Sequence, residues 1–149
     1  MTSNRAPIAV ALDLPTLEAA TTLAGAVGST VAFLKVGLET YLRDGAAGVD
    51  TIRAAAGSDV ELFLDLKLHD IPNTVAGAAR SIAALEPALL TVHASGGPAM
   101  IEAAVSALPN TQVTAVTILT SLSAQDLAQI GYEGDPLSAV VRLARLATE

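Results

Sequence analysis

Five short apolar runs divide the chain: Ile8–Leu12, Val31–Val36, Val60–Leu66, Ala88–Val92 and Val113–Leu119. Each is rich in Val, Ile or Leu and has the length of a buried strand. Successive runs begin 23, 29, 28 and 25 residues apart. The intervals carry apolar residues at helical spacing, such as Leu17, Ala20, Leu23 and Ala24, and again Val75, Ala78, Ala79, Ile82 and Leu85. Pro15-Thr16 and Pro72 suit first turns of helices, and Ser123 with Asp126 forms a capping pair. Gly28, Gly57 and Pro87 punctuate helix ends. Repeated strand–helix–strand units predict an α/β protein with a parallel sheet. The sheet could close as a doubly wound open sheet or as a (β/α)8 TIM barrel. The first strand ends Ala11-Leu12-Asp13-Leu14-Pro15, without the glycine-rich phosphate turn usual in doubly wound sheets, which favours the barrel. A complete barrel needs about 250 residues and eight units. The 149 residues hold five strands and a further helix near Pro136–Ala147. The expectation is a single domain over residues 1–149, the N-terminal portion of a barrel with about the first five βα units, and a truncated or fragmentary chain.

Charge narrows the function. Eight basic residues against fifteen acidic ones give a net charge of −7, and aromatic residues make up 3% of the chain. That leaves neither an electrostatic footprint nor stacking platforms for nucleic acid. The absence of cysteine excludes disulfides, thiolate nucleophiles and Cys-ligated metals. Two histidines, His69 and His93, are too few for an all-His metal site. No run of 18 apolar residues is present, so no membrane helix is expected. Residues 1–7 lack the apolar region of a signal peptide, which makes the cytoplasm the expected location.

The two lysines, Lys35 and Lys67, both sit inside apolar runs, in Phe33-Leu34-Lys35-Val36-Gly37 and Phe63-Leu64-Asp65-Leu66-Lys67-Leu68. An ammonium there needs close partners. Asp65 and Lys67 are two apart, so a strand points both to one face and turns Leu64, Leu66 and Leu68 toward the helices. Lys35 lies on the preceding strand and Asp13 at the end of the first. The predicted arrangement is a row along the C-terminal rim of the strands: Asp13, Lys35, Asp65, Lys67. One reading is a structural ion-pair network. The other is chemical: acids close by keep a lysine cationic, and a cationic lysine beside a reacting carbon can stabilise carbanion charge and deliver a proton.

The remaining candidates are more ambiguous. Asp70 precedes Ile71-Pro72-Asn73-Thr74 and suits a helix cap. His69 and His93 read as hydrogen-bonding residues at strand ends. Ser95-Gly96-Gly97-Pro98 is a βα turn that could offer backbone N–H groups to an anion. Thr120-Ser121 could contact a ligand or cap the next helix. Phe33 and Phe63 read as core, Tyr41 and Tyr132 as half-buried.

The complete set comprises Ala11-Leu12-Asp13, Lys35-Val36-Gly37, Phe63-Leu64-Asp65-Leu66-Lys67-Leu68-His69-Asp70-Ile71-Pro72-Asn73-Thr74, Thr91-Val92-His93-Ala94-Ser95-Gly96-Gly97 and Ala115-Val116-Thr117-Ile118-Leu119-Thr120-Ser121. It resembles the orotidine 5′-phosphate decarboxylase family over nearly the whole chain. The resemblance implies conversion of orotidine 5′-phosphate to uridine 5′-phosphate and carbon dioxide in pyrimidine synthesis, without metal or cofactor. It implies that Asp13 binds ribose hydroxyls and that Lys35, Asp65, Lys67 and Asp70 form the catalytic network. Lys67 would protonate C6 of the pyrimidine, and Asp65 would sit against the substrate carboxylate. Lys35, Ile71, Thr74, Thr120 and Ser121 join Asp13 among the substrate-binding residues. The implied assembly is a homodimer in which Asp70 and Thr74 reach the neighbour's site.

The family's phosphate-gripping loops follow later strands than those present. The chain by itself is therefore expected to leave strand edges open, to aggregate and to turn over poorly. Two rival readings are a metal-dependent phosphosugar-acid decarboxylase or aldolase of the same superfamily, and a non-catalytic truncated product. Lys35 stands where such metal-dependent relatives carry an acidic ligand, which argues against the first. A generic nucleotide-binding module is least supported, for want of a glycine-rich turn.

Overall fold

All five apolar runs become strands, and they pair in the order in which they occur. The computed structural model describes residues 5–148. Residues 1–4, read above for a leader segment, lie outside the described residues. The strands are β1 (Ala6–Ala11), β2 (Val31–Gly37), β3 (Glu61–Leu68), β4 (Leu89–His93) and β5 (Gln112–Val116). They make one parallel sheet of order β1-β2-β3-β4-β5. A doubly wound sheet reverses its strand order part-way. Here each unit instead adds its strand to the same growing edge, as in a (β/α)8 barrel.

Helices α1 (Leu17–Val27), α2 (Leu38–Ala56), α3 (Pro72–Ser81) and α4 (Pro98–Ala107) connect the strands, and α5 (Ala124–Gln129) and α6 (Pro136–Leu146) follow the last. Leu34, Val36, Leu62, Leu64 and Leu66 are buried in one cluster with Ala20 and Ala24 of α1 and Val49 and Ile52 of α2. A second cluster joins Val75, Val92, Met100 and Ala104 across α3, β4 and α4. Alternation along β2 and β3 thus sends leucines and valines toward the helices and leaves Lys35, Asp65 and Lys67 on the other face. Phe33 and Phe63 share that other face. They are expected in the core; both are half-buried and lie outside the two helix-facing clusters.

Two local expectations are corrected. The last apolar run predicts a strand to Leu119, but β5 ends at Val116. Val116 pairs with His93, the last residue of β4, so residues 117–119 have no neighbouring strand to bond. Asp70 does not cap α3. The N-cap is Ile71, which has no side-chain cap bond, and Pro72 opens the first turn. The Asp70 carboxylate instead accepts the adjacent Ile71 N–H at 2.7 Å. Other caps form as read. Thr16 accepts the Ala19 N–H at 3.2 Å, and Ser123 and Asp126 form a reciprocal box.

Candidate active site

The four charged residues drawn from the sequence do form one row. Lys35 Nζ donates to Asp13 Oδ2 at 2.8 Å and to Asp65 Oδ2 at 3.3 Å. Lys67 Nζ donates to the other oxygen, Asp65 Oδ1, at 2.7 Å. Asp65 therefore offers one oxygen to each lysine, and its charge separates two cations that would otherwise repel. Lys35 follows from the register: it sits beside Phe63 across the β2–β3 ladder, with Asp65 one strand position pair further along. Asp13 is held from a second side, because its Oδ1 accepts the Gly37 N–H at 3.0 Å. A Cβ on residue 37 would overlap that carboxylate, so only glycine lets the acid come this close.

Electrostatics favour the charged forms of Asp65 and Lys35. Burial works against the charge on Asp65, but hydrogen bonds from Lys67, Thr91 and Lys35 outweigh it and hold the carboxyl below its ordinary range. Burial likewise opposes the Lys35 cation, yet the bonds and charges of Asp13 and Asp65 raise its pKa above the ordinary value. Exposure is lowest at Asp65, whose side chain is 15% exposed, and rises toward both ends of the row, to 34% at Asp13 and 38% at Lys67, so Lys67 presents its ammonium while its acid stays sheltered.

Backbone geometry is unusual at the same place. Lys67 has φ +49°, the left-handed region that non-glycine residues rarely occupy. Leu64 pairs with Leu90 while Leu68 pairs with Val92, so β3 spends two more residues than β4 over this stretch. Thr91 lies against the resulting bulge. Its hydroxyl donates to Asp65 Oδ1 at 2.9 Å and accepts the Lys67 N–H at 2.9 Å. Next to it, the rings of His69 and His93 stack with centroids 5.2 Å apart. Burial, followed by the nearby His69 and Lys67, lowers the His93 pKa.

The family model for the orotidine 5′-phosphate decarboxylase / HUMPS family matches residues 6–149. The chain belongs to this family. Orotidine 5′-phosphate decarboxylase of Thermobifida fusca is 58% identical over 144 residues, covering 97% of the chain and 61% of that protein. The Frankia casuarinae protein of the same name is 52% identical, with 98% and 59% covered. The chain thus spans about three-fifths of the length of these curated relatives. Among solved structures, the orotidine 5′-phosphate decarboxylase of Lactobacillus acidophilus superposes with a TM-score of 0.81 at 33% identity, covering 95% of this chain and 68% of that one. The fold reading, a (β/α)8 barrel through its first five units, agrees with these relatives.

The other residues expected of a decarboxylase site are distributed unevenly. Asp70, Ile71 and Thr74 are exposed at the start of α3, and no ion pair links Asp70 to the row. Asp70 and Ile71, but not Thr74, border a depression of about 370 Å³ lined also by His69, Pro72, Ser95 and Gly96. Thr120 and Ser121 are exposed in the turn after β5. A larger cavity of about 710 Å³ lies between Pro98 and α6, lined by Leu137, Val141, Arg142 and Arg145 among others, and includes no residue of the charged row. The row is the better candidate site, because it gathers four charged groups at the C-terminal ends of strands, where barrel sites lie. Among the described residues, no group of three or more His, Asp or Glu side chains is arranged to hold a metal ion. Sequence reading assigned no role to two residues that shape the row, Gly37 and Thr91. The available signal for Thr91 was a hydroxyl inside the run Leu89-Leu90-Thr91-Val92, at a position whose alternation faces Asp65.

Proposed function

We propose that the row Asp13–Lys35–Asp65–Lys67 decarboxylates orotidine 5′-phosphate to uridine 5′-phosphate. Bound substrate would set its carboxylate against Asp65 and its C6 near Lys67. The bond from C6 to the carboxylate breaks, carbon dioxide leaves, and the electron pair remains on C6. The fixed Lys67 ammonium stabilises that charge as it develops and then transfers one proton to C6, becoming a neutral amine that solvent reprotonates. Asp13 and Lys35 hold ribose hydroxyls, and Ile71, Thr74, Thr120 and Ser121 complete the contacts. Because lysine supplies both positive charge and proton, the chemistry needs no metal or cofactor. The reading includes a homodimer in which Asp70 and Thr74 serve the neighbour's site, and a cytoplasmic location. Ile71, an apolar residue 66% exposed between those two, supports the dimer.

The observation that carries this reading is the alternation itself: two cations and two anions linked at 2.8, 3.3 and 2.7 Å on the face away from the helices. A network of this kind is a poor stabiliser compared with apolar packing. The test is uridine 5′-phosphate and carbon dioxide formation from orotidine 5′-phosphate. It is run on the chain as it stands and on a chimera carrying the segment by which the Thermobifida fusca relative exceeds it. Lys67→Ala is expected to lower turnover by about a thousandfold or more. No product from either protein, or turnover indifferent to Lys67→Ala, refutes the reading.

A further inference from the structure

Thr91 is an oddity by the logic of burial. It is 5% exposed, between Leu90 and Val92 that are wholly buried, so its hydroxyl has to find hydrogen-bond partners within the protein. Both hydrogen-bonding capacities of its hydroxyl are used, and both go to the charged row. The O–H reaches Asp65 Oδ1, the same oxygen that takes the Lys67 ammonium. The lone pair takes the Lys67 N–H. These contacts close a ring: Thr91 hydroxyl, Asp65 carboxylate, Lys67 ammonium, Lys67 backbone and back to Thr91.

The ring accounts for the backbone. A left-handed non-glycine residue is disfavoured and persists only where surroundings enforce it. An ordinary parallel ladder would give the Lys67 N–H to a carbonyl of β4. The shifted register between Leu64 and Leu68 leaves it to the Thr91 side chain instead. That exchange coincides with the left-handed backbone at Lys67, the residue whose ammonium pairs with Asp65.

We propose that Thr91 is a positioning residue for the decarboxylation, setting the direction of the Lys67 ammonium by tying the Lys67 backbone to the Asp65 carboxylate. The proposal deepens, and rests on, the assignment of Lys67 as proton donor. Its hydroxyl touches no reacting atom; it acts through two residues that do.

The test compares Thr91→Val, which keeps shape and removes the hydroxyl, with Thr91→Ser, which keeps the hydroxyl. Two readouts need no turnover: hydrogen exchange of the Lys67 amide and titration of the Asp65 carboxyl carbon, both by NMR. Thr91→Val is expected to speed Lys67 exchange about tenfold and to move the Asp65 titration to higher pH, with circular dichroism unchanged. Thr91→Ser should restore both. In whichever protein turns over, the valine variant should lose kcat with KM little altered. Unchanged exchange and titration in Thr91→Val, or a serine variant as impaired as valine, overturn the proposal. Should Thr91→Val fail to fold, the unaltered chain decides: an unprotected Lys67 amide overturns it, and a protected one that Thr91→Ser preserves supports it. Absence of product from both the chain and the chimera would refute the functional reading while leaving these NMR outcomes to judge the ring.

Discussion

Replacing Gly37 with alanine is a small change with a calculable consequence. Gly37 ends β2 with φ −84° and ψ 177°, a conformation open to any residue, so backbone strain is not the issue. The obstacle is space. A Cβ there falls on the Asp13 carboxylate, which must swing away. Displacement breaks the 3.0 Å bond from the Gly37 N–H and the 2.8 Å pair with Lys35. A hydrogen bond to a charged group is worth about 1.5–3 kcal/mol. The ion pair is partly solvated and adds about 0.5–1 kcal/mol. Asp13 can rehydrate after moving, which favours the lower end, about 2 kcal/mol. Two side effects roughly cancel: alanine restricts the unfolded chain, worth about 0.4–1 kcal/mol, but is a poorer N-cap for α2 by a similar amount. With an m-value of about 2 kcal/mol/M, the urea midpoint should fall by about 1 M. The assay is a double-mutant cycle by urea denaturation. In an Asp13→Ala background the same Gly37→Ala change should cost about nothing, because the clash is gone. Equal destabilisation in both backgrounds, or none in either, refutes the argument that Gly37 exists to admit Asp13.

The pH dependence of stability follows from three groups with opposite signs. Asp65 titrates below its ordinary 3.8, so its contribution is present above that pH and is lost as pH falls through the folded value. His93 titrates below 6.5, so its contribution is complete above 6.5 and declines as pH falls through its folded value. Lys35 titrates above 10.5, so its contribution holds below 10.5 and disappears as pH rises through the raised value. Melting temperature against pH should therefore plateau, for these groups, between about 6.5 and 10.5, and Asp65→Asn should flatten the acid limb below 3.8. An acid limb unchanged by Asp65→Asn would contradict the assignment. On the helix-facing side of β3, Leu64→Ala should cost about 3 kcal/mol by urea denaturation, because Leu64 is wholly buried in the main cluster. Leu42→Ala, at an exposed position on α2, should cost less than about 0.5 kcal/mol.

Much of the site was legible because its logic is local or topological. Two residues apart on a strand means one face, and consecutive strands of a parallel βα repeat lie side by side. Those rules, with the barrel's rim, place Asp13, Lys35, Asp65 and Lys67 in one row. Helix caps at Thr16 and Ser123 were legible for the same reason, since donor and acceptor lie within one turn. The family resemblance, carried by the same motifs, supplied the chemistry that patterning leaves open.

Other features depend on how strands slide against each other, and no local pattern encodes that. β5 stops at Val116 because β4 stops at His93. Lys67 turns left-handed because β3 and β4 lose step between Leu64 and Leu68, and Thr91 becomes its partner only through that offset. Asp70 bonds the next amide rather than capping α3, and Gly37 matters because a carboxylate 24 positions away comes to rest against it. The order of residues along the chain determined which charges share a face. The register between neighbouring strands, an energy summed over many contacts distant in sequence, decided how those charges are held.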